Sequence, residues 1–357
     1  MKRCLAFLLI FCVVLSFASC GASSTSDSTD DVGSDVSDTA DDGADDTEED
    51  TEEDTEEDTT EAEESGEPEE SGQPEGTSTP LLYKVTDSDG DVVWLFGSIH
   101  VGREEFYPLP DAVTEAYEGS DSLAVEFDVL AFQEDTAAQM RIFQGLIYKD
   151  GTTVADHLPE DLYNEAVAIM EECDLYSSIL DYYDVSLWSD FVNDCTYEKI
   201  GINAELGIDM HFLNLAKEES KTIHDIESAE FQMNMSKSFS QDLQLYLLRS
   251  AIESYYQYEE MEQEMEMLMD VWALGDEAEY EAAFSEEVPM DEAEKALYEE
   301  YNNAMIYDRN VNMAKFAADA LETGEEIFIC VGAAHVVGEG GMADLLSEQG
   351  YTVEIVR

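Results

Sequence analysis

Positive charge is what this chain most lacks. Lys and Arg together number 15 in 357 residues, against 86 Asp and Glu, for a formal net charge of −71. A surface so acidic repels phosphate backbones and anionic headgroups, which excludes nucleic acid as a partner. Cysteine is scarce as well. Of six, Cys4, Cys12 and Cys20 lie in the first twenty residues, leaving Cys173, Cys195 and Cys330. Three cysteines without Cys-x-x-Cys spacing support neither a disulfide framework nor a thiolate zinc site. A single Cys173 to Cys195 bridge stays open for an extracellular chain. His-Glu-x-x-His, Gly-x-Ser-x-Gly and a Walker loop are absent, so those catalytic plans find no support.

No apolar run reaches the ~20 residues that cross a bilayer, but a shorter one opens the chain. Met1-Lys2-Arg3 is a basic start, Leu5 to Phe17 is apolar, and Phe17-Ala18-Ser19-Cys20 is a small-residue cleavage site ending in Cys. The segment resembles a bacterial lipoprotein signal peptide over 1–20, with Cys20 lipidated and the protein held on the extracytoplasmic face of the cell membrane. Ordinary secretion with cleavage nearby is the alternative. Residues 21–80 hold 25 acidic side chains and no basic one. Such a stretch repels itself and cannot bury a core, so a disordered acidic linker is expected, tethering a domain over 81–357.

Within that domain, Leu81 to Val85 and Val92 to Phe96 flank Asp87-Ser88-Asp89-Gly90-Asp91, which reads as a hairpin. The Asp cluster lacks the Gly and distal Glu of an EF-hand loop and is better explained as turn chemistry. A helix is expected from Pro110, then a short strand, Ser122 to Asp128, carrying Glu126 near its end. From about Phe132 to Asn214 the pattern is helical, broken at Gly151, Pro159 and Gly201. Gly207-Ile208-Asp209 opens another helix, on which Asp209 serves as a cap or reaches a site. Lys221 to Ser228 looks like a strand ending in Glu227, a site residue or a helix cap. Ala229 to roughly Leu321 is again helical; its Met261, Met265, Leu268 and Met269 fall at core spacing. Arg309 stands out because Arg is rare here. The chain closes with strand Ile327 to Val331, a turn, a helix near Met342 to Gln349 and strand Tyr351 to Val356. Gly338-Glu339-Gly340-Gly341-Met342-Ala343 fits a dinucleotide fingerprint, but too little chain follows it to complete a nucleotide-binding half.

Two stretches share one pattern, an apolar strand running into Gly-x-x-His: Gly97 to His100 and Gly332 to His335. Ligands of parallel α/β sheets gather beyond the carboxyl ends of strands, so His100, Glu126 and His335 are expected to converge. Two neutral imidazoles and a carboxylate make a divalent-metal set with an open position for water. That chemistry predicts a metal-dependent hydrolase. The fold expected is α/β (α+β), a central mixed sheet with paired Gly-x-x-His strand ends and a large helical insertion.

These motifs, with Gly207-Ile208-Asp209, Arg309-Asn310 and the Gly-Ala-Ala-His-Val-Val-Gly ending, resemble the TraB/GumN family, related to the TIKI proteins. The resemblance runs from about Leu81 to Arg357. It implies an α/β fold with a helical insertion and, through TIKI members, divalent-metal-dependent proteolysis of secreted peptides. TraB-type members are linked to blocking peptide pheromones, which sequestration explains as well as cleavage. The implied site comprises His100, Glu126 and His335 on a Mn, Co or Zn ion, Glu126, Arg309 and Glu227 as catalytic groups, and Asp209 beside them. Two functions follow: a tethered metal-dependent peptidase acting on extracellular peptides, or a noncatalytic protein that sequesters peptide or haem.

Overall fold

The computed structural model describes residues 78–285 and 290–357; the signal-like segment, Cys20 and the acidic stretch to residue 77 lie outside the described residues. Ser78 and Thr79 already bond to the domain. The Ser78 hydroxyl donates to the Phe106 carbonyl at 3.0 Å, and the Thr79 N–H to that of Ala273 at 2.7 Å.

Strands β1 (Leu82–Thr86) and β2 (Val92–Ser98) form the expected hairpin. One Asp87 carboxylate oxygen accepts the N–H groups of Asp89, Gly90 and Asp91 at 2.9, 2.8 and 2.9 Å, so the Asp cluster is turn chemistry. Helix α1 (Asp111–Gly119) leads to β3 (Ser122–Val125). Helices α2 (Val129–Glu134), α3 (Thr136–Gly145), α4 (Glu160–Glu172), α5 (Ser186–Ile200) and α6 (Ile208–Glu219) separate it from β4 (Thr222–Asp225). Six more follow: α7 (Ala229–Ser238), α8 (Gln241–Tyr256), α9 (Tyr258–Leu274), α10 (Glu277–Ser285), α11 (Glu292–Asn302) and α12 (Asp308–Thr323). Then come β5 (Ile327–Gly332), α13 (Ala333–Val336), α14 (Met342–Glu348) and β6 (Thr352–Val356).

The result is a mixed α/β fold around a large, mostly parallel sheet of order β4-β3-β5-β2-β1-β6. The first four strands in that order run parallel, and β1 is antiparallel to both β2 and β6. Sequence shows why β5 is central: Ile327 to Val331 is an unbroken apolar run, fully buried, as a strand covered on both faces requires. Phe328 on that strand packs against Phe212 of α6 and Tyr117 of α1, with ring centroids 4.8 and 5.7 Å apart. Phe96 of β2 completes the cluster against Phe212 and Trp272. Each such ring, fully buried, contributes roughly 1.5–3 kcal/mol, so the sheet is pinned at its middle.

The helical stretches divide where local chemistry stops them. Pro159 precedes α4 as its N-cap, and Gly201, with φ of 70°, ends α5. The long run expected after Ala229 is cut by side-chain caps: Ser228 accepts from the Phe231 N–H, Ser240 from Leu243, and Asp291 forms a capping box with Glu294. A Cys173–Cys195 disulfide ties the end of α4 to α5. The closing crossover differs from a simple neighbouring pair, since β6 lies at the sheet edge with β2 and β1 between it and β5.

Candidate functional site

Register brings the strand ends level. Ser98 pairs with Gly332 across β2 and β5, while Val125 pairs with Cys330 on one side and Asp225 on the other. The residues that follow, His100, Glu126, Glu227 and His335, therefore leave the sheet on its carboxyl edge.

His100 is held by α6. The Ile208 N–H donates to the Ile99 carbonyl at 2.9 Å, and Gly207 packs so closely that a Cβ there would lie 2.4 Å from the His100 carbonyl oxygen. This approach places Asp209, in the first turn of α6, with one carboxylate oxygen 2.7 Å from His100 Nδ1 and the other accepting the Ser98 hydroxyl at 2.6 Å. Gly207 is the helix cap, so Asp209 is free to face the site. Burial pulls the His100 pKa down most strongly, but the Asp209 charge and hydrogen bond, with help from Glu126, overcome it and raise the value to about 9. His100 is thus an imidazolium at neutral pH, its Nε2–H still to be matched.

Glu126 is held by a guanidinium. Arg309 Nη2 donates to its Oε2 at 2.5 Å, and Arg309 also clamps Glu227 through Nε and Nη2, both at 2.8 Å. Gln232 of α7 donates to the Oε2 atoms of both carboxylates, at 3.0 and 2.8 Å, and the Gly332 N–H reaches Glu126 Oε1 at 3.0 Å. Desolvation favours the neutral acid, yet Arg309, then His335 and His100, hold the carboxyl far below its ordinary range. A lone Arg on a helix of an acidic domain usually bridges carboxylates at the surface; Arg309 does so in the interior, its side chain 1% exposed. A π-helical turn, Asn303–Tyr307, joins α11 to α12 and delivers both Arg309 and its neighbour Asn310 into the interior.

Asn310 sets the state of the second histidine. Its Nδ2 donates to the Gly340 carbonyl at 2.8 Å, which orients Oδ1 toward His335 Nδ1 at 2.7 Å. His335 Nδ1 must then be the donor, leaving Nε2 as an acceptor. Burial first, and the Arg309 charge second, push the His335 pKa down to about 3. The 3.8 Å approach of its Nε2 to Glu126 Oε1 is consequently not an ion pair.

Among the described residues, no group of three or more His, Cys, Asp or Glu side chains is placed to hold a metal ion. This overturns the expected Mn, Co or Zn centre on His100, Glu126 and His335, and with it the metal-dependent peptidase, hydrolase and metalloprotease reading. Physical causes are visible. Glu126 is already neutralised by Arg309, whose guanidinium occupies its Oε2 together with the Gln232 amide. The 3.8 Å between Glu126 Oε1 and His335 Nε2 also exceeds the roughly 3.4 Å separating tetrahedral ligands ~2.1 Å from zinc. Arg309 spends four of its five N–H donors on Glu126, Glu227 and the Met305 carbonyl, so it has no fork left for a carboxylate or carbonyl.

What the cluster encloses is a small cavity of about 30 Å³, lined by His100, Glu126, Gly332 and His335 below and by Ile99, Leu268, Trp272 and Tyr280 among its walls. The Trp272 indole is locked by its bond to the Gly97 carbonyl at 2.8 Å. His100 and Glu126 keep 13% and 12% of their side-chain surface in solvent. Three participants were given no site role in the sequence, although Asn310 was part of the Arg309-Asn310 motif. Ser98 and Asn310 adjoin residues that were singled out, whereas Gln232 is an ordinary polar helix residue with no signal of its own.

Fold and site together define an α/β domain with a preorganised polar cradle at the carboxyl ends of its strands. Residues 81–355 match the TraB/PrgY/gumN family, and the chain belongs to it. It is similar, at 23% identity over 252 residues, to the uncharacterized protein YbaP of Escherichia coli K12 and to the protein of that name in Shigella flexneri; the match covers 71% of this chain and 86% of each relative. No solved structure matches the chain. No helix among the described residues is long and apolar enough to cross a membrane.

Proposed function

We propose that the domain is a noncatalytic binding protein that sequesters peptides outside the cell. The observation behind this reading is that the three groups converging on the cradle are each fixed from behind: His100 by Asp209, His335 by Asn310, and Glu126 by Arg309, Gln232 and the Gly332 N–H. Groups so restrained lose little freedom when a ligand arrives, which favours affinity. Peptide is preferred over haem because a macrocycle needs several hundred Å³, and the cavity offers about 30 Å³, room for one small terminal group. A purely structural surface protein would leave this cradle without a purpose.

The same proposal places the domain, 81–357, on the extracytoplasmic side, lipidated at Cys20 and held off the membrane by the acidic 21–80 linker. Its support is the signal-like start of the sequence and the Cys173–Cys195 disulfide, a bond that persists in oxidising compartments. Kinship with the TIKI proteins rests on the paired Gly-x-x-His motifs. Equilibrium dialysis of the full chain against a pool of random heptapeptides tests the binding reading. Intact peptides enriched on the protein side are expected, and an even distribution of every member refutes it.

A further inference from the structure

The cradle has a definite pattern of donors and acceptors, and that pattern says which part of a peptide it matches. A Cβ built on Gly332 would stand 3.3 Å from Glu126 Oε1, 3.6 Å from His335 Cδ2 and 3.8 Å from His100 Nε2. The missing side chain of Gly332 is therefore what opens the space on which the three groups converge. Two of them accept: Glu126 Oε1 and, by the orientation of Asn310, His335 Nε2, 3.8 Å apart. A nitrogen about 2.9 Å from each fits between them. The third, His100, faces the same space with Nε2 while Asp209 holds Nδ1.

We propose that the cradle captures the free amino terminus of a peptide, its α-ammonium donating to Glu126 and His335 and its first carbonyl oxygen accepting from His100 Nε2–H. This rests on the sequestration reading and names the ligand end. Charge agrees. His100 and Arg309 bring two positive charges against the carboxylates of Glu126, Glu227 and Asp209, so one added cation balances the cluster. From Leu81 onward the domain also carries 61 acidic residues against 13 basic ones, which draws cationic ends toward it. A carboxyl terminus would need a free cationic fork, and Arg309 is spent. A lysine ammonium supplies the cation but has no carbonyl on the adjoining carbon to meet His100. The small volume and the Ile99, Leu268 and Trp272 walls select a small apolar first side chain.

The test uses the full chain and heptapeptides beginning with Ala, measured by calorimetry in four forms: both ends free, N-acetylated, C-amidated, and N-acetylated with an internal Lys. Acetylation is expected to weaken binding at least tenfold with or without Lys, and amidation to change it less than twofold. Gly332→Ala, which sits at φ −48° and so accepts a side chain without backbone strain, places a methyl in the cradle and is expected to cost the free peptide at least tenfold. Equal binding of free and acetylated peptides overturns amino-terminal capture while leaving sequestration standing. Rescue by the internal Lys reassigns the cradle to side-chain ammonium and overturns the proposal. No binding of any form overturns both readings. If Gly332→Ala fails to fold, the acetylation comparison on the unaltered chain decides alone.

Discussion

Replacing Arg309 with Met keeps most of the side chain's apolar volume and removes its charge. In the folded protein Arg309 is 1% exposed and its guanidinium lies between Glu126, 12% exposed, and Glu227, 5% exposed. Without it two carboxylates face each other with the Gln232 amide and the Gly332 N–H as their donors, which solvate them but do not neutralise them. Breaking a buried pair from one side costs about 3–5 kcal/mol, and the partial exposure of Glu126 points to the lower end. For a domain of this size that lowers the melting temperature by roughly 10 °C. Urea unfolding of Arg309→Met should show a reduced midpoint with an unchanged slope. Adding Glu227→Gln should recover part of the loss, because one charge then disappears. The pH dependence should also reverse locally. In the native protein the depressed Glu126 pKa contributes stability above the unfolded carboxyl value that is lost on acidification. In the variant, carboxylates left unpaired have raised values, so its deficit should shrink between pH 7 and pH 5. A loss below about 1 kcal/mol at neutral pH would refute the view that Arg309 organises this site.

Three further outcomes are expected. With His100 raised to about 9 from an unfolded value near 6.5, its contribution should be complete below pH 6.5 and fade as pH climbs through 9, on the order of 3 kcal/mol at most; thermal melts from pH 6 to 10 check this, and Asp209→Asn should flatten the profile. Replacing Cys173 and Cys195 with Ser removes a cross-link spanning 22 residues and should cost about 3 kcal/mol by loop entropy, read from denaturant midpoints. Chelators, and added manganese, cobalt or zinc, should leave the melting temperature unchanged; a saturable upward shift with any of these metals would reinstate a metal centre.

The parts of this architecture visible in sequence are those governed by local chemistry. Apolar runs marked β2 and β5, Gly-x-x-His marked their ends, and Glu126 stood out among apolar neighbours. Whether Asp209 and Glu227 served as caps or faced the site was not decidable from sequence, because it depends on neighbours: Gly207 and Ser228 do the capping, and the carboxylates are left to meet His100 and Arg309. Sheet order was invisible too, since β3 and β4 pair across almost a hundred residues. The metal expectation failed for a related reason. Two histidines and a glutamate read as ligands only while their other partners are unknown. Arg309 beside Glu126 and Asn310 behind His335 are neighbours on α12, Asp209 behind His100 lies on α6, and nothing in the spacing of these two distant segments announces that they meet at one site.

Retention without turnover is the central claim, and a time course tests it most directly. The full chain is incubated with the free-ended heptapeptide beginning with Ala, then denatured, and the released peptide is weighed by mass spectrometry. All bound peptide is expected to return at full length, in a constant amount from minutes to a day. Fragments that accumulate with time, and that vanish with Gly332→Ala, would contradict it.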